Sequence, residues 1–100
     1  MLFRSRYGAP HGSDVGPSLH DVRGGLNETG PTSLRLADEL ASAWVSFAAT
    51  GDPNNARLPK WPAYKVPERA TLVLGETTRV ENDPRAAVRR FWEKEPPRGL

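Results

Sequence analysis

Cysteine is absent from the 100-residue sequence. Its absence excludes disulfide bonds, a thiol nucleophile and cysteine-rich zinc sites, and it leaves the redox compartment open. Long hydrophobic runs are also missing, because no segment approaches the roughly 20 apolar residues of a membrane span. Residues 1–6 lack the apolar run of a signal peptide. The sequence therefore predicts no membrane association and favours the cytoplasm.

Neither charge sign is in large excess. The 14 basic and 12 acidic residues give a net charge of +2 and are interspersed, so no strong basic field favours nucleic acid. Hydrophobic residues make up only 37% of the chain, which contains 10 prolines and 9 glycines, so loops must occupy much of it. The 3 tryptophans nevertheless require large apolar contacts, which is not typical of a disordered tail.

The strongest periodicity lies in the middle of the chain. Residues 33–50 carry apolar side chains at helical spacing, which predicts an amphipathic helix. We expect Thr32 or Ser33 to cap its start. Its polar face would hold Asp38 and Glu39. Its apolar stripe consists of Leu36, Leu40, Ala43, Trp44 and Phe47.

The other segments are shorter. In chain order they are a long histidine loop region (1–32), a proline-rich strap (51–70), short strands (71–81, as 71–74 and 78–81), a terminal helix (83–94) and a tail (95–100). A short strand is expected at residues 2–7, and Gly51 is expected to end the long helix in the left-handed conformation. Asn82 or Asp83 would cap the terminal helix, with Pro84 in its first position.

One histidine lies in a glycine-flanked loop, residues 8–14, with the sequence Gly-Ala-Pro-His-Gly-Ser-Asp. An imidazole moves protons readily near neutral pH, but it needs a nucleophile or an acid partner. The chain has no Gly-x-Ser-x-Gly turn, because Gly12 to Gly16 has the wrong spacing. From the residues alone, His11 is either an exposed turn residue or one part of an incomplete catalytic site.

Two other sets of residues have suitable chemistry. A zinc site would draw on His11, Asp14, His20 and Asp21, but their spacing matches no metal motif, and we expect no metal. A nucleic-acid surface would draw on Arg85, Arg89 and Arg90. Acidic residues interrupt that patch, so we expect a solvated helix face and no nucleic-acid partner. No glycine-rich phosphate loop is present, and the sequence predicts no cofactor.

Three stretches occur in a fixed order, at residues 8–14, 43–54 and 61–64. They fit the patterns Gly-Ala-x-His-Gly/Ala-x-Glu/Asp, Ala-Trp-x-x-Phe-Ala-x-Thr-Gly-Asp/Asn-Pro-Asn and Trp-Pro-x-Tyr, and Asn-Asp-Pro follows at 82–84. Together they resemble the C-terminal region of the type B carboxylesterases, a family of α/β hydrolases. The family usually continues its histidine loop with bulky apolar residues, whereas residues 15–20 are smaller and more polar here.

The resemblance implies a fold, a reaction and a site. The fold would be α/β, a C-terminal fragment of an α/β hydrolase with two amphipathic helices, one or two short strands and long loops. The reaction would be hydrolysis of small carboxylic esters through an acyl-enzyme, with His11 as the general base. Gly8, Gly12 and Asp14 would support its loop, while the substrate-binding residues stay unknown. Asp14 is too close in sequence to His11 to be the expected triad acid.

The resemblance also implies that parts of the site lie elsewhere. The nucleophile serine, the triad acid and the oxyanion loop would lie upstream of residues 1–100. We therefore expect the isolated chain to be inactive, to need the remainder of the hydrolase domain for packing, and to expose the helix faces of Trp44 and Trp92. The alternative is a non-catalytic interaction segment that packs the same helices on another chain.

Overall fold

The computed structural model describes residues 10–23 and 29–95. The strand expected at 2–7, Gly8 and the tail from residue 96 lie outside the described residues. The described elements are α1 (Val15–Ser18), α2 (Pro31–Thr50), β1 (Ala70–Val73), β2 (Arg79–Asn82) and α3 (Ala86–Lys94). None of the described helices is both long enough and apolar enough to cross a membrane.

Helix α1 is a single turn inside the region that was predicted to be a loop. The Ser18 amide and hydroxyl both donate to the Asp14 carbonyl, at 3.0 and 2.7 Å. Pro17 is fully buried, and α1 packs against α2. One turn of four residues has no hydrophobic period to detect, so the sequence did not indicate this helix.

Helix α2 begins at Pro31, with Gly30 as its N-cap, rather than after Thr32 or Ser33. Proline suits the first helical position because its fixed φ matches the helix and its missing N–H has no partner there anyway. At the other end, Gly51 has a φ of 79° and its amide donates to the Phe47 carbonyl at 2.7 Å. The predicted left-handed glycine at the end of this helix is therefore confirmed.

The small core lies between the first half of α2 and the strand pair. Leu36 and Leu74 form its centre, and Leu40 and Leu72 pack against them. β1 and β2 pair antiparallel, with Ala70 opposite Asn82 and Val73 opposite Arg79. Each strand lies one residue away from its predicted position.

Glu39 corrects the predicted polar face of α2, since it is only 8% exposed. Its carboxylate accepts from Arg35 Nη1 at 2.7 Å and from the Thr78 hydroxyl at 2.5 Å. Arg35 also donates through Nη2 to the carbonyls of Gly75 and Glu76, at 2.8 and 2.9 Å. A buried carboxylate needs such partners, and these bonds fix the turn between the strands onto α2.

The strap, predicted at 51–70, ends at residue 69 because Ala70 begins β1, and residues 51–69 contain neither helix nor strand. Its shape is fixed instead by the Asn54 side chain, which donates to the Trp61 carbonyl at 2.8 Å and accepts from the Trp61 amide at 2.7 Å. The Asn54 amide group thus pairs with the main chain of Trp61 as a neighbouring strand would. This holds the strap across a seven-residue separation.

Helix α3 starts at Ala86, later than predicted, because Asn82 ends β2 and residues 83–85 form a turn in which the Ala86 amide donates to the Asp83 carbonyl at 3.0 Å. Pro84 therefore lies in this turn and not in the first position of the helix. Asp83 has a φ of 48°, and its carboxylate binds Arg89, with Oδ2 2.7 Å from Nη2. Arg89 Nη1 also donates to Glu93 at 2.7 Å. Within the described part of the chain α3 contacts no other helix or strand. Its apolar side chains Val88, Phe91 and Trp92 are all exposed.

The Asp83–Arg89 contact makes one pH-dependent prediction. The hydrogen bonds from Arg89 hold the pKa of Asp83 below its ordinary value of 3.8. A lowered folded-state pKa means that this contribution to stability is present above 3.8 and is lost as the pH falls through the lower folded value. We expect Arg89→Ala to raise the pKa of Asp83, as measured by NMR titration of its carboxyl carbon. Arg85→Ala, which removes a neighbouring exposed arginine, should leave that pKa in place; an equal rise in both variants would contradict the assignment.

Candidate active site

His11 lies at the start of a turn that leads directly into α1. The Ser13 amide donates to the Pro10 carbonyl and the Val15 amide to the Gly12 carbonyl, both at 3.2 Å. The His11 side chain is exposed, and it makes no hydrogen bond to another described residue. Its ring is therefore open to groups that approach from outside the described part of the chain.

Two glycines shape this turn for different reasons. Gly12 has a φ of 79°, a left-handed conformation that other residues adopt only with strain, while a Cβ there would meet nothing within 4 Å. Gly16 is limited by space, because a Cβ would lie 2.5 Å from the Asp21 carbonyl oxygen. Gly12 was predicted as a loop-support residue, whereas the requirement at Gly16 was missed because Asp21 closes on it only through a turn.

Asp14 contacts its neighbours through the main chain. Its carbonyl accepts the two bonds from Ser18 that begin α1, while its side chain is exposed. Support of the loop by Asp14 stays a prediction, and the geometry gives that role to the carbonyl oxygen. A substitution that changes only the carboxylate should therefore disturb the turn little.

The second histidine joins the loop to α2. His20 Nε2 lies 2.5 Å from Asp38 Oδ1, although the two residues are 18 positions apart. No sequence signal pointed to this pair, because only tertiary packing brings the residues together. Asp21, grouped with His20 in the zinc alternative, instead binds Arg23, whose hydrogen bonds lower the Asp21 pKa. Among the described residues, no three His, Asp or Glu side chains are placed to hold a metal ion.

A groove of about 880 Å³ lies between the end of α2 and the strap. Its walls include Phe47, Asn54, Trp61 and Tyr64, and His11 is not among its lining residues. Asn54 is already bonded to Trp61, so the groove offers mainly apolar surface. This groove is therefore not a substrate pocket around His11.

The comparisons with known proteins decide the family. Residues 3–92 match the family model described as "Carboxylesterase family". The chain belongs to the carboxylesterase family. This membership confirms the family resemblance of the three sequence stretches.

Carboxylesterases of known sequence and structure are similar to most of the chain. It is 34% identical over 90 residues to carboxylesterase 4A of Bos taurus, covering 87% of this chain and 16% of that relative. It is 40% identical over 55 residues to a para-nitrobenzyl esterase of Bacillus subtilis, covering 55% and 11%. A crystal structure of a Geobacillus stearothermophilus carboxylesterase superposes with a TM-score of 0.74 at 38% identity, covering 85% of this chain and 19% of that one.

The chain thus spans less than a fifth of the length of these carboxylesterases. Its helices and two-stranded sheet correspond to a part of the α/β-hydrolase fold, which confirms the predicted fold class. The carboxylesterase match does not by itself test the role of His11, Gly8, Gly12 or Asp14.

Proposed function

We propose that this chain supplies the general-base histidine of a serine carboxylesterase and that His11 is that residue. The observation that supports this most is the placement of His11 in a carboxylesterase chain. It is exposed, unbonded to other described residues, and held in a turn that needs a left-handed glycine at its next position. The nucleophile, the acid and the oxyanion donors come from the part of the fold outside residues 1–100.

The reaction follows from an imidazole beside a serine. His11 accepts the hydroxyl proton as the serine oxygen attacks the ester carbonyl, and the imidazolium then gives this proton to the departing alkoxide. The acyl-enzyme remains. His11 next takes a proton from water, which attacks the acyl carbon, and the proton returns to the serine oxygen as the carboxylic acid leaves. No cofactor takes part in these steps.

The substrate is proposed only as a class. Relatives are named for different compounds, among them a para-nitrobenzyl esterase and a fumonisin B1 esterase. We therefore propose a small-molecule carboxylic ester. Any finer choice depends on the substrate-binding residues, which stay unknown.

The isolated chain is proposed to be inactive and to need the remainder of the hydrolase domain. Trp44 and Phe47 on α2 are 59% and 52% exposed, and the apolar side of α3 is uncovered as well. Monomeric soluble proteins rarely leave large contiguous apolar patches in water. The same exposed faces also fit the alternative, a non-catalytic segment that packs on another chain, and the two proposals differ in whether ester hydrolysis depends on His11.

The test compares two polypeptides. The first is the 100-residue chain, and the second is the complete esterase, in which residues 1–100 follow the upstream part of a carboxylesterase, from the gene or by fusion to the Geobacillus stearothermophilus enzyme. We expect the complete esterase to hydrolyse a small activated ester and to lose that activity to a serine-directed inhibitor. The 100-residue chain should show no turnover. Inhibitor-sensitive turnover by the short chain, or none by the complete esterase, would count against the proposal.

A further inference from the structure

The contact between His20 and Asp38 joins the turn after α1 to α2, and α1 itself packs against α2. Asp38 lies on α2, and His20 lies in the turn that follows α1. Both side chains are well exposed, at 63% and 49%. The pair is therefore a bond at the rim of the α1–α2 contact rather than part of the core.

A continuous set of main-chain bonds leads from this pair back to His11. The Asp21 amide donates to the Gly16 carbonyl at 2.8 Å, and the His20 amide to the Pro17 carbonyl at 3.1 Å. Within α1 the Ser18 amide donates to the Asp14 carbonyl at 3.0 Å, and the Val15 amide donates to the Gly12 carbonyl. Every step from residue 21 to residue 12 is a short turn, so a shift at His20 is passed on to the turn that carries His11.

Side-chain burial holds the α1 segment at one residue. Pro17 is the buried side chain of α1, which has only four residues and packs against α2. The His20–Asp38 bond adds a side-chain contact to α2 on the other side of Pro17 in the sequence from His11. The two contacts together hold both ends of the α1 segment against α2.

The backbone conformation of His20 also indicates that the bond to Asp38 holds this segment in place. Its φ is 59°, in the left-handed region that residues other than glycine adopt only at some cost. Such a conformation persists where surrounding contacts hold it. The bond to Asp38 is a contact of this kind, because it holds the imidazole against α2.

We propose that Asp38, acting through His20, positions the loop that presents His11. Asp38 is a positioning residue and touches no reacting atom. The inference rests on the proposed function, since it concerns the placement of the proposed general base.

The two possible effects of this pair differ in size. An exposed ion pair contributes little to the free energy of unfolding. A catalytic group is far more sensitive, because a displacement of about 1 Å can lower a rate by about 10²-fold. Loss of the pair should therefore appear in kcat and leave the melting temperature nearly unchanged.

The test uses the complete esterase, with the concentration of active sites measured by titration with a serine-directed inhibitor. We expect Asp38→Ala to lower kcat per titrated site by about tenfold while KM changes by less than about twofold. Asp38→Asn, which keeps an oxygen acceptor for a neutral imidazole, should recover most of this loss. Glu68→Ala, which removes an exposed carboxylate of the strap, is the matched control and should leave kcat unchanged.

A double-variant cycle shows whether Asp38 acts through His20. We expect His20→Ala to match Asp38→Ala and the double variant to be no worse than either single one, because both remove the same bond. Losses that multiply would overturn the proposal. So would an Asp38→Ala enzyme with fewer titratable sites, a lower melting temperature and an unchanged kcat per site, since that pattern marks a merely structural residue.

These outcomes are separable from failure of the proposed function. Normal activity in a His11→Ala enzyme would remove the general-base assignment and with it the positioning role. Loss of activity in His11→Ala together with a normal kcat in Asp38→Ala would overturn the positioning role alone.

Discussion

Replacing His11 with alanine in the complete esterase is expected to lower kcat by about 10⁴-fold or more. The reason is the protonation chemistry of both half-reactions. Without an imidazole, neither the serine hydroxyl nor the attacking water has a base to accept its proton, so acylation and deacylation fail together. KM should change little, because His11 is proposed to act on protons rather than to hold the ester.

Steady-state hydrolysis of a small activated ester measures this effect. His20→Ala is the matched control, since it removes the other histidine of the same segment. Its expected loss is only about tenfold, because a positioning residue displaces the base without removing it. A His11→Ala enzyme with near-normal kcat, or one no worse than His20→Ala, would contradict the assignment of His11 as the general base.

Replacing Arg35 with alanine is expected to cause the largest loss of stability. Glu39 would keep its buried carboxylate but lose its cationic partner, and the carbonyls of Gly75 and Glu76 would lose their donor. Breaking a fully buried ion pair costs roughly 3 to 5 kcal/mol. Because the Arg35 side chain is 38% exposed, we expect about 2 to 3 kcal/mol here.

Amide hydrogen exchange on the β1–β2 strand pair of the complete esterase measures this loss locally. A change of about 2 to 3 kcal/mol corresponds to a fall in protection of about 30- to 150-fold. Arg57→Ala, which removes an exposed arginine outside this network, should leave the protection unchanged. Arg35→Lys should give protection between that of Arg35→Ala and that of the unchanged protein. A lysine can pair with Glu39, but it cannot also donate to both the Gly75 and Glu76 carbonyls as the guanidinium does. Full protection in Arg35→Ala would show that the network does not hold the strands on α2.

The fold was predictable where the information is local. The spacing of Leu36, Leu40 and Ala43 indicated α2, and Gly51 marked its end through a backbone property of glycine itself. The strand pair was located to within one residue by its β-branched and apolar composition. Each of these features depends on neighbours within one or two turns of the chain.

The errors lie where a side chain has a distant partner. Glu39 was placed on the polar face because its partner Thr78 is 39 residues away. Asp83 is a nearer case: it was expected to cap α3, but its carboxylate is bonded to Arg89, 6 residues away. His20 and Asp38 are separated by the segment between α1 and α2 and by the first residues of α2. Local patterns give no information on such pairings.

The site was predictable only in part for a related reason. The glycines around His11 and the family pattern of its loop indicate a candidate catalytic residue, and its role stays a proposal. The sequence did not predict a requirement for glycine at position 16, because that requirement comes from the nearby Asp21 carbonyl and not from the φ of Gly16. Residues 1–100 hold one proposed member of the triad, so no sequence reasoning on them alone recovers the rest.

The two halves of α2 differ in what they face. The side chains of Leu36 and Glu39 are buried within the chain, whereas those of Trp44 and Phe47 are exposed. The esterase can be supplied as two polypeptides, with residues 1–100 as one of them. Substitutions in the first half of α2 should then lower the stability of the 100-residue polypeptide on its own. Substitutions at Trp44 or Phe47 should leave the stability of the 100-residue polypeptide unchanged and raise the dissociation constant between the two polypeptides. One helix would thus allow the internal stability of a segment and its affinity for the rest of an enzyme to be varied independently.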